Sequence, residues 1–352
     1  MRGVVFLGER EITLRDFPDP TPGPGDVVIA IKASGMCGSD LHLYRAAREG
    51  GTAASLGLGG SGEPVIGGHE PCGVVAARGA GVSESEAPAG MRAMIHHYRG
   101  CGRCRHCRTG WSQLCPNGIV VYGVTGHGGH APFMKVPAGT LVPLPDGLTF
   151  EEGAAISCGT GTAYGALRRL GVSGRDTLAV FGQGPVGLSA TLLGTAMGAR
   201  VIAVDPVPER RRLAEDCGAA VALDPRAVDP VVALRDLTDG EGVDCAIECA
   251  GSPEARIETV RCVRTWGQAC FVGEGGTVTL DVSQHLLRRQ VTLHASWTFS
   301  TVGQEECARF VARRRLPLHR LLTHRFALEQ AAEAYRLFDT QTTGKGVFVT
   351  GP

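Results

Sequence analysis

Four cysteines fall inside sixteen residues of this chain, in the stretch "GCGRCRHCRTGWSQLC" that ends at Cys115. Their spacing is Cys101-x2-Cys104-x2-Cys107-x7-Cys115. Thiols set this close either bridge one another or hold a metal. The whole chain has thirteen cysteines, an odd number that fits poorly with a fully bridged set. Four thiolates on one compact lobe suit a tetrahedral zinc in a closed structural site. Arg103, Arg105 and Arg108 offset the negative charge of such a centre. His106 lies inside the loop, but four cysteines complete the shell without it, so it is expected to face solvent.

A second pattern could hold a dinucleotide. "TLAVFGQGPVG" sets Gly182, Gly184 and Gly187 in GxGxxG spacing, directly after an apolar strand pattern and at the start of a helix that opens with Pro185 and Val186. The next strand ends in Asp205, eighteen residues after Gly187. Gly182 permits the tight turn, Gly184 lets backbone amides approach a pyrophosphate at the helix N-terminus, and Gly187 allows close helix–strand packing. Asp205 is placed to accept hydrogen bonds from the adenosine ribose and to repel a 2′-phosphate, which favours NAD over NADP. Arg210, with Arg211 and Arg212, lies close enough in sequence to soften that preference.

A third set is scattered. Cys37 lies in "GMCGSDLH", His69 and Glu70 in "GGHEPCG", and Cys158 in "SCGTGTAYG". Taken singly, each has an ordinary reading, Cys158 as a small buried hydrophobe and His69 as a core histidine.

The elements that must position these residues follow from the texture of the chain. Its 352 residues exceed what one hydrophobic core usually covers, so two domains are expected. Residues 1–150 read as β-rich, with short β-branched runs such as "VVIAIKA" and "GVVAAR" bounded by glycine and proline turns. From about Glu151, apolar strands alternate with helical patterns, which implies βαβ units and a parallel sheet buried on both faces. A helix over Leu328–Phe338 and a strand over Gly346–Thr350 close the chain. Residues 46–63 lack periodicity and read as a mobile surface loop. The formal net charge is zero, which gives no electrostatic claim on nucleic acid or an anionic membrane. The opening "MRGVVFLGEREITL" has an apolar run too short for a signal peptide or a membrane span, and no later segment is long enough to span. A cytoplasmic protein with reduced thiols is expected, which again favours metal over disulfides. Three lysines against thirty-two arginines point to a GC-rich, bacterial coding bias.

Together these motifs resemble the zinc-dependent medium-chain alcohol dehydrogenases over essentially the whole chain. "GHEPCGVVAARGAGV" (Gly68–Val82) matches that family's zinc signature, with Gly68, His69, Glu70, Gly73, Gly79 and Val82 in place, and the four-cysteine spacing matches its structural-zinc lobe. The resemblance implies an α/β protein: a GroES-like β-rich catalytic domain over 1–155 and 294–352, with the metal lobe at 96–116, and a doubly wound parallel-sheet (Rossmann) NAD-binding domain over 156–293. It implies two zinc ions per chain, one structural and one catalytic. Cys37, His69 and Cys158 would hold the catalytic ion, with water or Glu70 completing the shell, and Asp40 would hold the other ring nitrogen of His69. That ion would act as a Lewis acid on the alcohol oxygen. Ser39 would take the alcohol proton and pass it by way of the nicotinamide ribose to His42 and solvent. Lys345, in "TGKGVFV", would lie near the cofactor's pyrophosphate or ribose, and His97 and Tyr98 would line the substrate pocket. Two departures stand out: Gly38 replaces an arginine that some members place after the first ligand, and Cys158 stands where polyol dehydrogenases often use glutamate.

The activity implied is oxidation of a small secondary alcohol or polyol by NAD, giving a ketone or aldehyde and NADH. A carbonyl reductase working in the other direction is the alternative. A catalytically silent NAD-binding protein should lack part of the ligand set or proton relay, whereas all of Cys37, His69, Cys158, Ser39 and His42 are present. Family members assemble as dimers or tetramers through edge strands of the nucleotide domain. A homo-oligomer is therefore expected here, a tetramer for a bacterial protein, with "TVTLDV" (Thr277–Val282) as such a strand.

Overall fold

Two sheets divide the work. A computed structural model describes residues 1–48, 52–59 and 63–351. In its second half, six parallel strands stack in the order Val221–Leu223, Arg200–Val204, Thr177–Phe181, Val243–Glu248, Val263–Phe271 and Thr292–Ala295. Counted along the chain this is 3-2-1-4-5-6, the doubly wound order, whose crevice opens between the first and fourth strands. Thr177–Phe181 and Arg200–Val204 are buried along nearly their whole length, as strands covered on both faces must be. The connecting helices Pro185–Ala196, Pro208–Asp216, Pro230–Asp236 and Pro253–Cys262 each start on proline, whose fixed φ and missing N–H suit a first helical turn.

The other sheet has seven strands. Asp26–Gly35 is its centre, antiparallel to Glu70–Arg78, to Phe133–Pro137 and to the C-terminal strand Lys345–Val349. Arg92–Ile95, Leu141–Pro143 and Leu322–Phe326 complete it. One apolar cluster runs from Ala33, Cys72 and Met94 of this sheet through Ile156 to Leu178 and Val180 of the parallel one, so the two halves share packing. The mixed α/β class with a parallel sheet is as the sequence implies.

Some details differ. Thr277–Val282 is not a strand. Val278 and Leu280 do alternate inward, with Leu280 packed on the apolar cluster around Phe181 and Val204, but the run makes no ladder. It lies in the crossover between Val263–Phe271 and Thr292–Ala295, and among the described residues that last strand forms the sheet's edge. The expected boundary at residue 293 falls inside the edge strand, which continues to Ala295. The closing helix is Ala331–Asp339, preceded by a 3-10 turn over Leu328–Gln330. Within the expected loop at 46–63, Thr52–Leu56 form a 3-10 turn, and residues 49–51 and 60–62 of that expectation lie outside the described residues. No described helix is long and apolar enough to cross a membrane.

Candidate active site

Strand ends bring the scattered residues together. Gly35 and Glu70 are register partners, so the chain leaving one strand and the chain entering the next meet at the same edge. Cys37 follows the first as the cap of helix Gly38–Arg45, and His69 precedes the second. Cys158 arrives from a π-helical turn, Ile156–Thr160, set between helices Phe150–Ala155 and Gly161–Leu170. Such single turns are frequent at functional sites, because the extra residue turns a side chain out of helical register. One donor atom from each of Cys37, His69, Glu70 and Cys158 lies within 4.8 Å of the other three, and all four residues are buried.

Several observations fit this cluster to a divalent cation. Cys37 Sγ and Cys158 Sγ are 3.9 Å apart and buried. The contact splits their acidities: the hydrogen bond with Cys158 holds Cys37 well below the usual thiol range against the opposing effect of burial, and the same contact together with burial pushes Cys158 up. Two thiolates so placed need a cation between them to ionise together. Glu70 Oε1 is buried with no hydrogen-bond partner among the described residues, and burial pushes the Glu70 carboxyl up to about 8 against the pull of Lys345. His69 Nδ1 lies 2.9 Å from Asp40 Oδ1. A carboxylate only accepts, so that nitrogen carries a proton; against burial, the charges of Asp40 and Cys37 raise the basicity of the ring, and Nε2 becomes a donor to the cluster when a cation takes the place of its proton.

Around this cluster the expected residues separate. Ser39 is half-buried, and its Oγ lies 3.3 Å from both Cys37 Sγ and His69 Nε2. His42 is exposed one turn later on the same helix face. Lys345 has partners of its own. It is buried, its ammonium pairs with Glu70 Oε2, and it donates to the Met36 carbonyl at 3.1 Å. A buried carboxylate and ammonium each need the other, and here they meet beside the cluster. Glu152 caps its own helix by accepting from Thr149 N at 2.9 Å and takes no place in the cluster. His97 Nδ1 donates to the Ser157 carbonyl at 3.0 Å, and burial keeps the ring neutral. The His97 ring sits 5.2 Å from His69 and 4.2 Å from Tyr98, and Tyr98 in turn lies 5.7 Å from the part-exposed Trp297. These rings form an aromatic wall next to the cluster.

The glycine loop has the geometry a pyrophosphate needs. Gly182 has φ +84°, and a Cβ on Gly187 would stand 1.7 Å from the Gly182 carbonyl oxygen. Gly184 caps helix Pro185–Ala196, and nothing but an Arg210 nitrogen at 4.0 Å would meet a Cβ there, so the loop is open. Asp205 is buried just past its strand. Its carboxylate accepts from Gln183 N at 2.6 Å and from Val207 N at 2.8 Å, which fixes its direction while leaving acceptor capacity. The two sites touch: Thr160 and Ser189 hydroxyls are 3.0 Å apart, and a Cβ on Gly159 would lie 3.7 Å from Pro185.

In the four-cysteine lobe the sulfurs also converge within 4.8 Å. Backbone amides of Cys101, Cys104 and Cys107 point at sulfurs of Cys115, Cys101 and Cys104, at 3.3, 3.4 and 3.5 Å. The Asn117 amide at 3.4 Å draws the Cys101 thiol down to about 5. His106 is exposed. Buried Gln113, missed by any motif, ties the lobe to the wall by donating to Thr298 Oγ1 and the Phe299 carbonyl, each at 2.8 Å. Metal binding there is folding energy for the lobe. Cys104→Ser should therefore remove one zinc per chain and lower the thermal midpoint by on the order of 10 °C, as a loss of a few kcal/mol would. Full thermal stability with one zinc fewer, read by calorimetry and metal analysis, would contradict a structural role.

Comparison with known proteins agrees with this layout. Residues 23–146 match the alcohol dehydrogenase GroES-like domain, and residues 185–313 match the zinc-binding dehydrogenase domain. A zinc-type alcohol dehydrogenase-like protein of uncharacterized activity, YphC of Escherichia coli K12, is 38% identical over 99% of this chain and 98% of its own. L-threonine 3-dehydrogenase of Pyrococcus horikoshii is 32% identical over 94% of this chain and 92% of its own. A solved structure from Sinorhizobium meliloti 1021 bound to NADP superposes with a TM-score of 0.85, 28% identity and 99% coverage of both chains.

Proposed function

The chain belongs to the zinc-dependent medium-chain alcohol dehydrogenases, and on that premise we propose that it oxidises a small secondary alcohol or polyol with NAD at the Cys37–His69–Cys158 cluster. The observation that carries this reading is the convergence of four buried donors within 4.8 Å on a turn that abuts the dinucleotide helix. When bound, zinc supplies a Lewis acid for the alcohol oxygen and the nicotinamide accepts the hydride. The chain supplies the rest. Asp40 holds the His69 ring so that Nε2 faces inward. Glu70, paired with Lys345, brings a fourth donor to the two thiols and His69. Ser39 sits at the rim beside His69 Nε2, where its hydroxyl can accept the substrate proton while donating its own onward. His42 is exposed on the next turn and hands a proton to water. His97, Tyr98 and Trp297 shape one side of the substrate pocket and keep water from it.

Asp205 supports NAD. Its fixed carboxylate can accept from ribose hydroxyls and would face the charge of a 2′-phosphate, although Arg210 lies near enough to the loop to moderate that repulsion. The test is a panel of secondary alcohols and polyols assayed for reduced nicotinamide with each cofactor. NAD should be preferred in kcat/KM by about tenfold or more, and Asp205→Ala should narrow the gap by removing repulsion along with attraction. A wild type that prefers NADP overturns the cofactor assignment. A zinc-loaded protein that oxidises no alcohol in the panel and reduces none of the matching carbonyls overturns the dehydrogenase reading.

A further inference from the structure

Behind Asp40 the hydrogen bonding does not stop. Tyr335 Oη donates to Asp40 Oδ2 at 3.1 Å, and His130 Nε2 lies 2.7 Å from the same Tyr335 oxygen. Ser34 Oγ lies 2.8 Å from His130 Nδ1. Asp40 Oδ2 also accepts from Cys37 N at 2.8 Å. These residues come from four distant parts of the chain, and Ser34, Asp40, His69, His130 and Tyr335 are all 4% exposed or less.

Donor and acceptor chemistry gives the chain one direction. Asp40 can only accept, so the single Tyr335 proton goes to it. The contact with His130 must then be Nε2–H donating to the Tyr335 oxygen. His130 Nδ1 is left as the acceptor for the Ser34 hydroxyl. Burial pulls the His130 pKa down to about 4, so the ring is neutral, as this pattern needs. At the other end, Asp40 Oδ1 lies 2.9 Å from His69 Nδ1 and pairs with the ring by charge. Every proton from Ser34 to Asp40 therefore has one place. The far end is sealed, so this path cannot export a proton as Ser39 and His42 can. Packing holds it still: the Tyr335 ring stands edge-on to Phe6 at 4.9 Å, and His130 stands edge-on to Phe348 at 4.6 Å.

We propose that Tyr335 and His130 are positioning residues that act through Asp40 to lock the ring direction and tautomer of His69, and so set the metal affinity of the Cys37–His69–Cys158 site. This rests on the reading of that cluster as a metal centre. Tyr335→Phe leaves Asp40 one donor short and orphans the His130 N–H. The pair Tyr335→Phe/His130→Phe removes the orphaned N–H and leaves only the Ser34 hydroxyl without its acceptor, again without restoring the support to Asp40. Carboxylates and their partners around metal-bound histidines are commonly worth 10–100-fold in affinity, so about a tenfold loss is expected for Tyr335→Phe.

The experiment counts zinc retained per chain against rising chelator, together with thermal midpoints, for wild type and both variants. One zinc should leave Tyr335→Phe at about tenfold lower chelator while the four-cysteine zinc leaves as in wild type. The double variant should regain part of the thermal stability but none of the lost affinity. Both variants holding that zinc as tightly as wild type would overturn the inference, as would affinity that recovers in step with stability. A wild type that binds zinc in the four-cysteine lobe alone would overturn both this inference and the metal-centre reading beneath it.

Discussion

Cys158→Ser is expected to lose one zinc per chain and nearly all turnover while it still binds reduced dinucleotide. The sulfur it removes is buried, 3.9 Å from Cys37 Sγ, on the π-helical turn at Ile156–Thr160. A serine hydroxyl does not ionise near neutral pH, and its shorter bond to oxygen withdraws the donor from the point where the other three converge. The loss of a Lewis acid is worth several kcal/mol of barrier, or about a thousandfold or more in rate. The dinucleotide loop should not notice, because Gly182–Gly187 and Asp205 hold their geometry through Gln183, Val207 and the packing of helix Pro185–Ala196. Equilibrium fluorescence for the dinucleotide and metal analysis for the zinc separate the two effects. An active Cys158→Ser with both metals in place would mean the third ligand lies elsewhere. Glu70 would then be the one other donor already in the cluster.

Gly187→Ala should fail in the opposite way, keeping both metals and losing dinucleotide affinity. Its Cβ would stand 1.7 Å from the Gly182 carbonyl oxygen and 2.8 Å from the carbonyl carbon. The obstacle is backbone, not the end of a mobile side chain, so the loop and the first turn of the helix must part. Such overpacking costs about 1–3 kcal/mol, and here it falls on the amides proposed to hold the pyrophosphate, so binding should weaken by about tenfold or more. Wild-type affinity in a folded Gly187→Ala protein would show that the dinucleotide does not sit on this turn.

Residues that work through a local motif were readable from sequence. GxGxxG needs its strand, turn and helix within a dozen residues, and the four cysteines need only one another. The alternation of strand and helix likewise announces a parallel sheet, because both faces must be covered. What escaped depends on contacts between distant segments. Tyr335 meets Asp40 across 295 residues, and His130 meets Tyr335 across 205. In sequence one is an aromatic in a helix and the other a histidine after glycines, and neither carries a spacing signal. Lys345 was legible as a conspicuous cation, but its partner was not, since a carboxylate brought beside it by strand pairing appears in no motif. Thr277–Val282 shows the converse error. Its alternation half-buries Val278 and Leu280 and leaves Val282 exposed, and alternation reports a half-buried run and not a hydrogen-bonded ladder.

The most direct measurement is the zinc content of purified wild type beside that of Cys158→Ser, taken on the preparations used for turnover. Two zinc ions per chain in an active wild type, and one in a folded but inactive variant, are the expected result. Equal zinc content in the two proteins, or full alcohol oxidation by wild type stripped of all zinc, would contradict a catalytic metal at Cys37, His69 and Cys158.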